Sequence, residues 1–300
     1  MIPVLSLLAV CLALGVIARR SGRFPPQTAL ALNAFIITVA LPPLVLRVVH
    51  SLEFRPGLLA AAASPWAVFL VAVVFFRLLG PRLGLKRESG AALVLTAGLS
   101  NTAFVGLPMA EALLGPEGLA VAVVVDQLGT FLVLATLATL FAARAAAEDE
   151  VLRPAVLLRK VVTFPPFIAL VVALALRPLS FPQGVDTLLE RLGSTLTPLA
   201  LFSVGFQLQL GGLRARAGAL ALGLGFKLVL APALVVLGLW VLPVAPIVRE
   251  ATVLQNAMAP MVSGAILASE HKLDPDLAAL MVGFGIPLSF LTVLVWRWLV

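Results

Sequence analysis

The chain has 300 residues, of which 61% are apolar and 12% charged, with a formal net charge of +7. A soluble domain would carry about 25% charged residues, and one core could not hide this much apolar side chain, so composition excludes an ordinary water-soluble fold. The positive surplus does not mark a nucleic-acid face either: the basic residues fall in short runs between apolar stretches, the pattern of membrane topology.

A helix needs roughly 20 mostly apolar residues to cross the hydrocarbon layer. Charged and Pro/Gly clusters divide the chain into ten such stretches, predicted at residues 2–18, 28–49, 58–79, 89–114, 119–143, 161–176, 192–210, 217–241, 251–269 and 277–299. Open strands cannot satisfy their backbone in lipid and period-2 alternation is absent, so the expected fold is an all-α membrane protein. Residues 2–18 are read as the first span rather than a cleaved leader, since they lack a basic flank before them and a small-x-small site after them. Cys11 alone offers neither a disulfide nor a thiolate metal site.

Basic residues orient the spans. The odd-numbered loops hold fourteen, among them Arg19, Arg20, Arg77, Lys86, Arg87, Arg144, Arg153 and Arg214, and the even loops with their flanks hold five: Arg47, Arg55, Arg177, Arg191 and Arg249. The positive-inside rule places the odd loops in the cytoplasm and both termini outside the inner (plasma) membrane. Residues 144–160, with Glu148, Asp149 and Glu150, form a short cytoplasmic linker between residues 1–143 and 161–300.

Each half holds five spans, so the second enters the membrane inverted relative to the first. Prolines support a repeat. Pro42 and Pro108 lie 66 residues apart in the first half, and Pro198 and Pro260 lie 62 apart in the second. Proline is also common in membrane helices for other reasons. Backbone groups freed by proline survive in lipid only where protein, water or solute meets them, and paired broken helices are a recurring design of secondary transporters.

The fourth and ninth spans are the best candidates for such breaks, because uncharged polar side chains precede their prolines. These are Ser100, Asn101 and Thr102 before Pro108, and Gln255 and Asn256 before Pro260. They can offer oxygens to a cation and donors to a carboxylate. The plainer alternative is hydrogen bonding between helices as structural glue. Asp126 is seven residues into the fifth span and Lys227 ten into the eighth, so both reach about 10 Å or more into the layer. They are expected either to handle a coupling proton or cation and an anionic substrate, or to form a buried structural ion pair. Glu111, Arg47 and Arg77 lie near span ends and can snorkel. His50 and His271 are far apart in sequence, which argues against a metal site. No Walker motif, dinucleotide fingerprint or nucleophile with a matching base is present.

The motifs Leu32 to Phe35 with Val39 to Pro43, Ser100 to Pro108, Leu114 to Ala120, Asp126-Gln127, Thr197 to Gly205 and Gln255 to Pro260 together resemble the auxin efflux carrier family, over nearly the whole chain. The resemblance implies two inverted five-helix repeats whose fourth and ninth helices break and cross, with a scaffold domain and a transport domain moving as an elevator. It implies that Pro108 and Pro260 mark the crossing and that Asn101 and Asn256 lie near substrate. It further implies a small organic acid as cargo, a dicarboxylate in bacterial members, and allows a homodimer. The plant crossing motif has a tyrosine and this chain has none, which argues against auxin itself. Sodium–bile acid symporters look like structural cousins. Their sodium sites use a Ser-Asn pair, resembled by Ser100-Asn101, and an acid in the ninth helix, where this chain offers only Gln255 and Asn256. The coupling set is therefore Ser100, Asn101, Asp126, Gln127 and Lys227, with no cofactor and with H+ or Na+ open as coupling ion. A sodium-coupled bile acid-like symporter is the alternative within transport, and a non-transporting membrane sensor or scaffold is the alternative from another class.

Overall fold

Helix is the structure that lets an apolar segment satisfy its own backbone, and among the described residues the apolar segments follow that rule apart from two short breaks. The computed structural model describes residues 2–146, 154–208 and 216–300. Part of the linker, with Glu148, Asp149, Glu150 and Arg153, and the loop bearing Arg214 lie outside these residues. Among the described residues there is no strand, only one isolated bridge.

Helix α1 spans Ile2–Arg20, α2 Thr28–His50 and α3 Leu58–Arg82. The half-length α4 covers Arg87–Ala97. The next run, Thr102–Ala145, has 44 residues and as a straight helix would extend about 65 Å, twice the hydrocarbon thickness. It folds back instead. Gly115 takes φ 68°, ψ −163°, a region essentially reserved for glycine. Thr102 Oγ1 then donates to Asp126 Oδ1 across 24 residues of sequence, a separation that straight helix would stretch to about 36 Å. The run is thus a hairpin of α5 (residues 102–114) and α6 (residues 116–145).

Next come α7 (Pro154–Val162) and α8 (Pro165–Ala175), bent by 66° at the break. The expected start of a span at residue 161 therefore falls inside a preceding helix. Pro165 and Pro166 open α8, where a missing N–H costs nothing. The chain continues as α9 (Gln183–Ser194), α10 (Leu196–Gln207), α11 (Ala217–Trp240), α12 (Pro246–Asn256), α13 (Val262–Glu270) and α14 (Pro275–Leu299). Five of these runs, α2, α3, the α5–α6 hairpin, α11 and α14, are long and apolar enough to cross a membrane, and α7–α8 makes a sixth if counted as one.

Of the four prolines that mark the repeat, breaks were expected at Pro108 and Pro260, and only Pro260 lies in one. Pro198 is the third residue of α10, within the first turn, whose donors have no intrahelical partner anyway. Pro42 and Pro108 stand in continuous helix because a π-turn precedes each one, over Ile36–Ala40 and Thr102–Gly106. Phe226–Leu230 does the same for Pro232. A proline ring clashes with the carbonyl four residues back; here those carbonyls belong to Thr38, Phe104 and Leu228, all inside the wider turn.

Two groups of helices emerge from the packing. Helices α1 and α10 form the most extensive contact, and α2 packs on α8, α9 and α10. The approach of α1 to α10 is backbone to backbone: a Cβ on Gly15 would strike Phe202 O, and one on Gly205 would strike Leu12 O, the small-residue seam that replaces hydrophobic driving force in lipid. The second group joins α3, α4, α6, α11, α12, α13 and α14. α5 and the end of α2 bridge the groups.

Candidate functional site

Two interrupted helices meet at the centre of the second group. Between α4 and α5 the chain runs unwound through residues 98–101, and between α12 and α13 through 257–261. The unwound segments cross as an antiparallel bridge between Ser100 and Pro260. Asn101 N–H donates to Ala259 O at 2.9 Å, and Met261 N–H donates to Leu99 O at 3.2 Å. Backbone groups that no helix can satisfy thus satisfy each other, the condition for unwound chain to persist away from water. Of the two prolines expected at the crossing, Pro260 is in it. Pro108 lies eight residues past Ser100, behind its π-turn, because the break falls at Gly98 to Asn101 rather than at the proline.

Four half-helix ends converge there: the C-terminal ends of α4 and α12 and the N-terminal ends of α5 and α13. Each N-terminal end carries about +0.5 charge and each C-terminal end about −0.5. The two buried ionisable side chains answer these partial charges. Asp126, on α6, accepts from Thr102 Oγ1 at 2.5 Å and from Gln127 Nε2 at 2.7 Å, so its carboxylate stands beside the N-terminus of α5. Lys227, on α11 and fully buried, donates to Ser100 Oγ at 2.5 Å and to Asn256 O, the last carbonyl of α12, at 3.1 Å. The Asp126–Lys227 ion pair, one of the two alternatives for these residues, is not formed: neither belongs to any ion pair within 4.0 Å among the described residues. Two charges already matched to opposite helix dipoles have no need to meet.

The remaining polar atoms divide into used and unused. Asn256 Nδ2 donates to Ser64 Oγ and Thr252 O, both at 2.8 Å. Among the described residues, Asn101 Nδ2, Gln127 Oε1, Thr130 Oγ1 and both Gln255 amide atoms are buried side-chain atoms without a hydrogen-bond partner. Gln255 lies against α5 at Gly106, where any side chain would collide with its amide. Buried polar atoms are nearly always satisfied, so five unpartnered ones on two adjoining breaks and the turn after Asp126 mark this locus as the candidate site. The crossing is closed: Ser100 is 5% exposed, Asn101 and Asn256 1% each.

Two cavities lie at opposite ends of the seam between the helix groups. One of about 650 Å³ is lined by Arg47, His50, Glu111, Asp186 and Glu190. The other, about 330 Å³, is lined by Arg19, Ala29, Gln207, Glu270 and by Val262, the residue after the crossing segment. Arg47 is held in the larger cavity by Asp186 at 2.8 Å and Glu190 at 3.2 Å, and Glu111 accepts from Thr197 at 3.1 Å. His50 stacks on Phe181, and no group of three metal-ligating side chains occurs among the described residues.

The structure thus brings Ser100, Asn101, Thr102, Asp126, Gln127, Lys227, Gln255, Asn256 and Pro260 to one locus and leaves Pro108 a short way along α5. Sequence reasoning missed Ser64, Thr130 and Thr252. Thr252 and Thr130 each lie four residues from a residue it chose, Asn256 and Asp126, hence on the same helix face. Only the Ser64-Pro65 pair inside an apolar span could have flagged the first.

A helical membrane protein whose two broken helices cross over buried polar groups has the architecture of a carrier. Comparison with known proteins agrees: residues 1–297 match the family model described as membrane transport protein, and the chain belongs to that family, the auxin efflux carriers. It is 27% identical over 297 residues to an uncharacterized transporter of Methanothermobacter thermautotrophicus, covering 98% of this chain and 96% of the relative. It is 24% identical over 311 residues to an uncharacterized transporter of Methanocaldococcus jannaschii, covering 100% and 99%.

Proposed function

We propose that the protein is a secondary carrier of a small organic anion, with Asn101, Thr102, Gln255 and Asn256 at the substrate seat and Pro108 and Pro260 shaping it. The observation that carries this reading is the cluster of orphaned amide atoms at the crossing of the two breaks. The N-terminal ends of α5 and α13, with Lys227 nearby, supply the positive potential that a carboxylate seeks.

Alternating access follows from the seam. The smaller cavity reaches Val262 beside the closed crossing and the larger opens at the other end of the seam, so cargo passes when the second helix group slides along α1, α2, α8, α9 and α10 as an elevator. Ten spans in two inverted five-helix halves suit the pattern of contacts between loops. Arg47 and Arg55 reach Asp186 and Glu117, each pair joining even-numbered loops of the sequence reading, whereas Arg216 with Asp274 and Ser89 with Asp274 join odd ones. Both termini then face outward from the inner membrane.

Coupling to sodium is disfavoured on chemical grounds. The Ser100 hydroxyl and the Asn256 carbonyl, oxygens that a bare cation would need, already hold the Lys227 ammonium. Asp126 is left as the residue to carry a coupling proton. A thermal-shift screen against mono- and dicarboxylates, with and without sodium and at two pH values, tests the reading. A ligand at 100 times its Kd adds about 2.7 kcal/mol to the folded state. Stabilisation by a carboxylate without sodium is expected; stabilisation only with sodium present would overturn the coupling, and none by any organic anion would overturn the cargo.

A further inference from the structure

A further cavity lies away from the crossing, lined by the ends of α3, α4 and α6, with a volume of about 260 Å³, just below the usual ligand-pocket range. Its polar lining is all cationic: Arg77, Lys86, Arg87 and Arg144. No carboxylate among the described residues lies within 4.0 Å of any of the four. Arg77 instead sits over the Phe141 ring, 5.8 Å from its centroid, and Arg87 donates to the Arg144 carbonyl at 3.3 Å. All four are exposed at the mouth of one hollow, where their like charges repel less once an anion lies between them.

Two further features select the anion. Lys86 is the N-cap of the 11-residue α4 and offers no side-chain acceptor to the first-turn amides, so backbone donors add to the guanidinium forks at the same mouth. The remaining wall is apolar, with Phe76, Leu85 and Val94, and beside it Leu78 and Leu83 are 59% and 57% exposed, the surface a bilayer would cover. A phosphate with an acyl-bearing glycerol attached suits such a site better than a free ion does.

We infer that this basic cavity binds the headgroup of an anionic phospholipid from the leaflet facing the third and fifth loops. The phosphate sits among Arg77, Arg87 and Arg144, and the glycerol and first acyl carbons lie along Phe76 and Phe141. The occupant would tie α3, α4 and α6 together at one end of the helix group that holds the crossing.

Lipid titrations of the purified protein, read by native mass spectrometry and thermal shift, test this with phosphatidylglycerol, phosphatidylcholine and inorganic phosphate as separate arms. Phosphatidylglycerol is expected to stay bound and stabilise, while the other two do not. Each basic residue near an anionic headgroup contributes about fivefold to affinity, so Arg87→Gln with Arg144→Gln should weaken phosphatidylglycerol roughly thirtyfold. Arg87→Lys with Arg144→Lys should retain most of it, and Arg191→Gln, remote from the cavity, should change nothing. Lipid-free melting temperatures of the variants identify any that misfold. Equal retention of phosphatidylcholine would overturn the proposal, as would an unchanged affinity in the folded double Gln variant. Stabilisation by inorganic phosphate alone would make this a free-anion site. If Glu148→Gln, Asp149→Asn and Glu150→Gln together created the only detectable lipid binding, the cavity's native occupant would be the chain's own acidic segment.

Discussion

Asp126 and Lys227 show how a charge is kept inside a bilayer without a counter-charge: each faces the half-helix end of opposite sign, where Asp126 accepts and Lys227 donates hydrogen bonds. Asp126→Asn is an isosteric change whose bonds can be rebuilt. Asn would accept from Thr102, and the Gln127 amide can turn so that its unpartnered Oε1 receives the new Nδ2–H. The folded protein should therefore melt within a few degrees of wild type, and proteoliposome flux should lose its dependence on a pH gradient. Lys227→Gln keeps donors for Ser100 Oγ and Asn256 O but removes the charge. Apparent affinity for a carboxylate, read by counterflow, should fall about tenfold, equivalent to about 1.4 kcal/mol. That these residues are buried was legible from depth in their spans; that they do not pair was not, because sequence distance says nothing about which helix end a side chain meets.

At the scale of elements, the sequence located nearly every helix but misread why prolines are there. A run of apolar residues with a proline reads the same whether the helix breaks, as at Pro260, or widens by one residue, as before Pro42, Pro108 and Pro232. The distinguishing interaction is the long-range bridge to the other break, which local patterns do not encode. Gly115, by contrast, carries its reason locally. Gly115→Val forces a side chain into a conformation reserved for glycine and should cost about 1–3 kcal/mol by thermal unfolding in detergent. Gly184→Ala, in α9 with open space around it, should be neutral or slightly stabilising. The α2–α9 clasp gives a pH signature. The hydrogen bond from Arg47 holds the Asp186 carboxyl below the usual carboxylate range. A depressed folded-state value stabilises above the unfolded value of about 3.9 and is lost as pH falls through the folded one. The melting difference between wild type and Asp186→Asn should be constant from pH 5 to 8 and close below pH 4. It should stay small, at most about 1 kcal/mol, because both partners are more than a third exposed.

For the whole molecule, composition made lipid the solvent and the basic loops suggested the faces, while a division into two helix groups entered only through the family resemblance and the cavity at either end of their seam was invisible in the sequence. The division arises from contacts such as Gly15 against Gly205, which join segments almost two hundred residues apart. The central claim is that the crossing of the two breaks is where cargo is held, and solute counterflow in proteoliposomes tests it most directly. Wild type loaded with a stabilising carboxylate should exchange it with label outside, without sodium. Asn101→Ala and Gln255→Ala, each removing atoms that bond nothing in the protein, should fold with unchanged melting temperature yet lose most of that exchange and the ligand-induced stabilisation with it. Full exchange and full stabilisation in both folded variants would contradict the account.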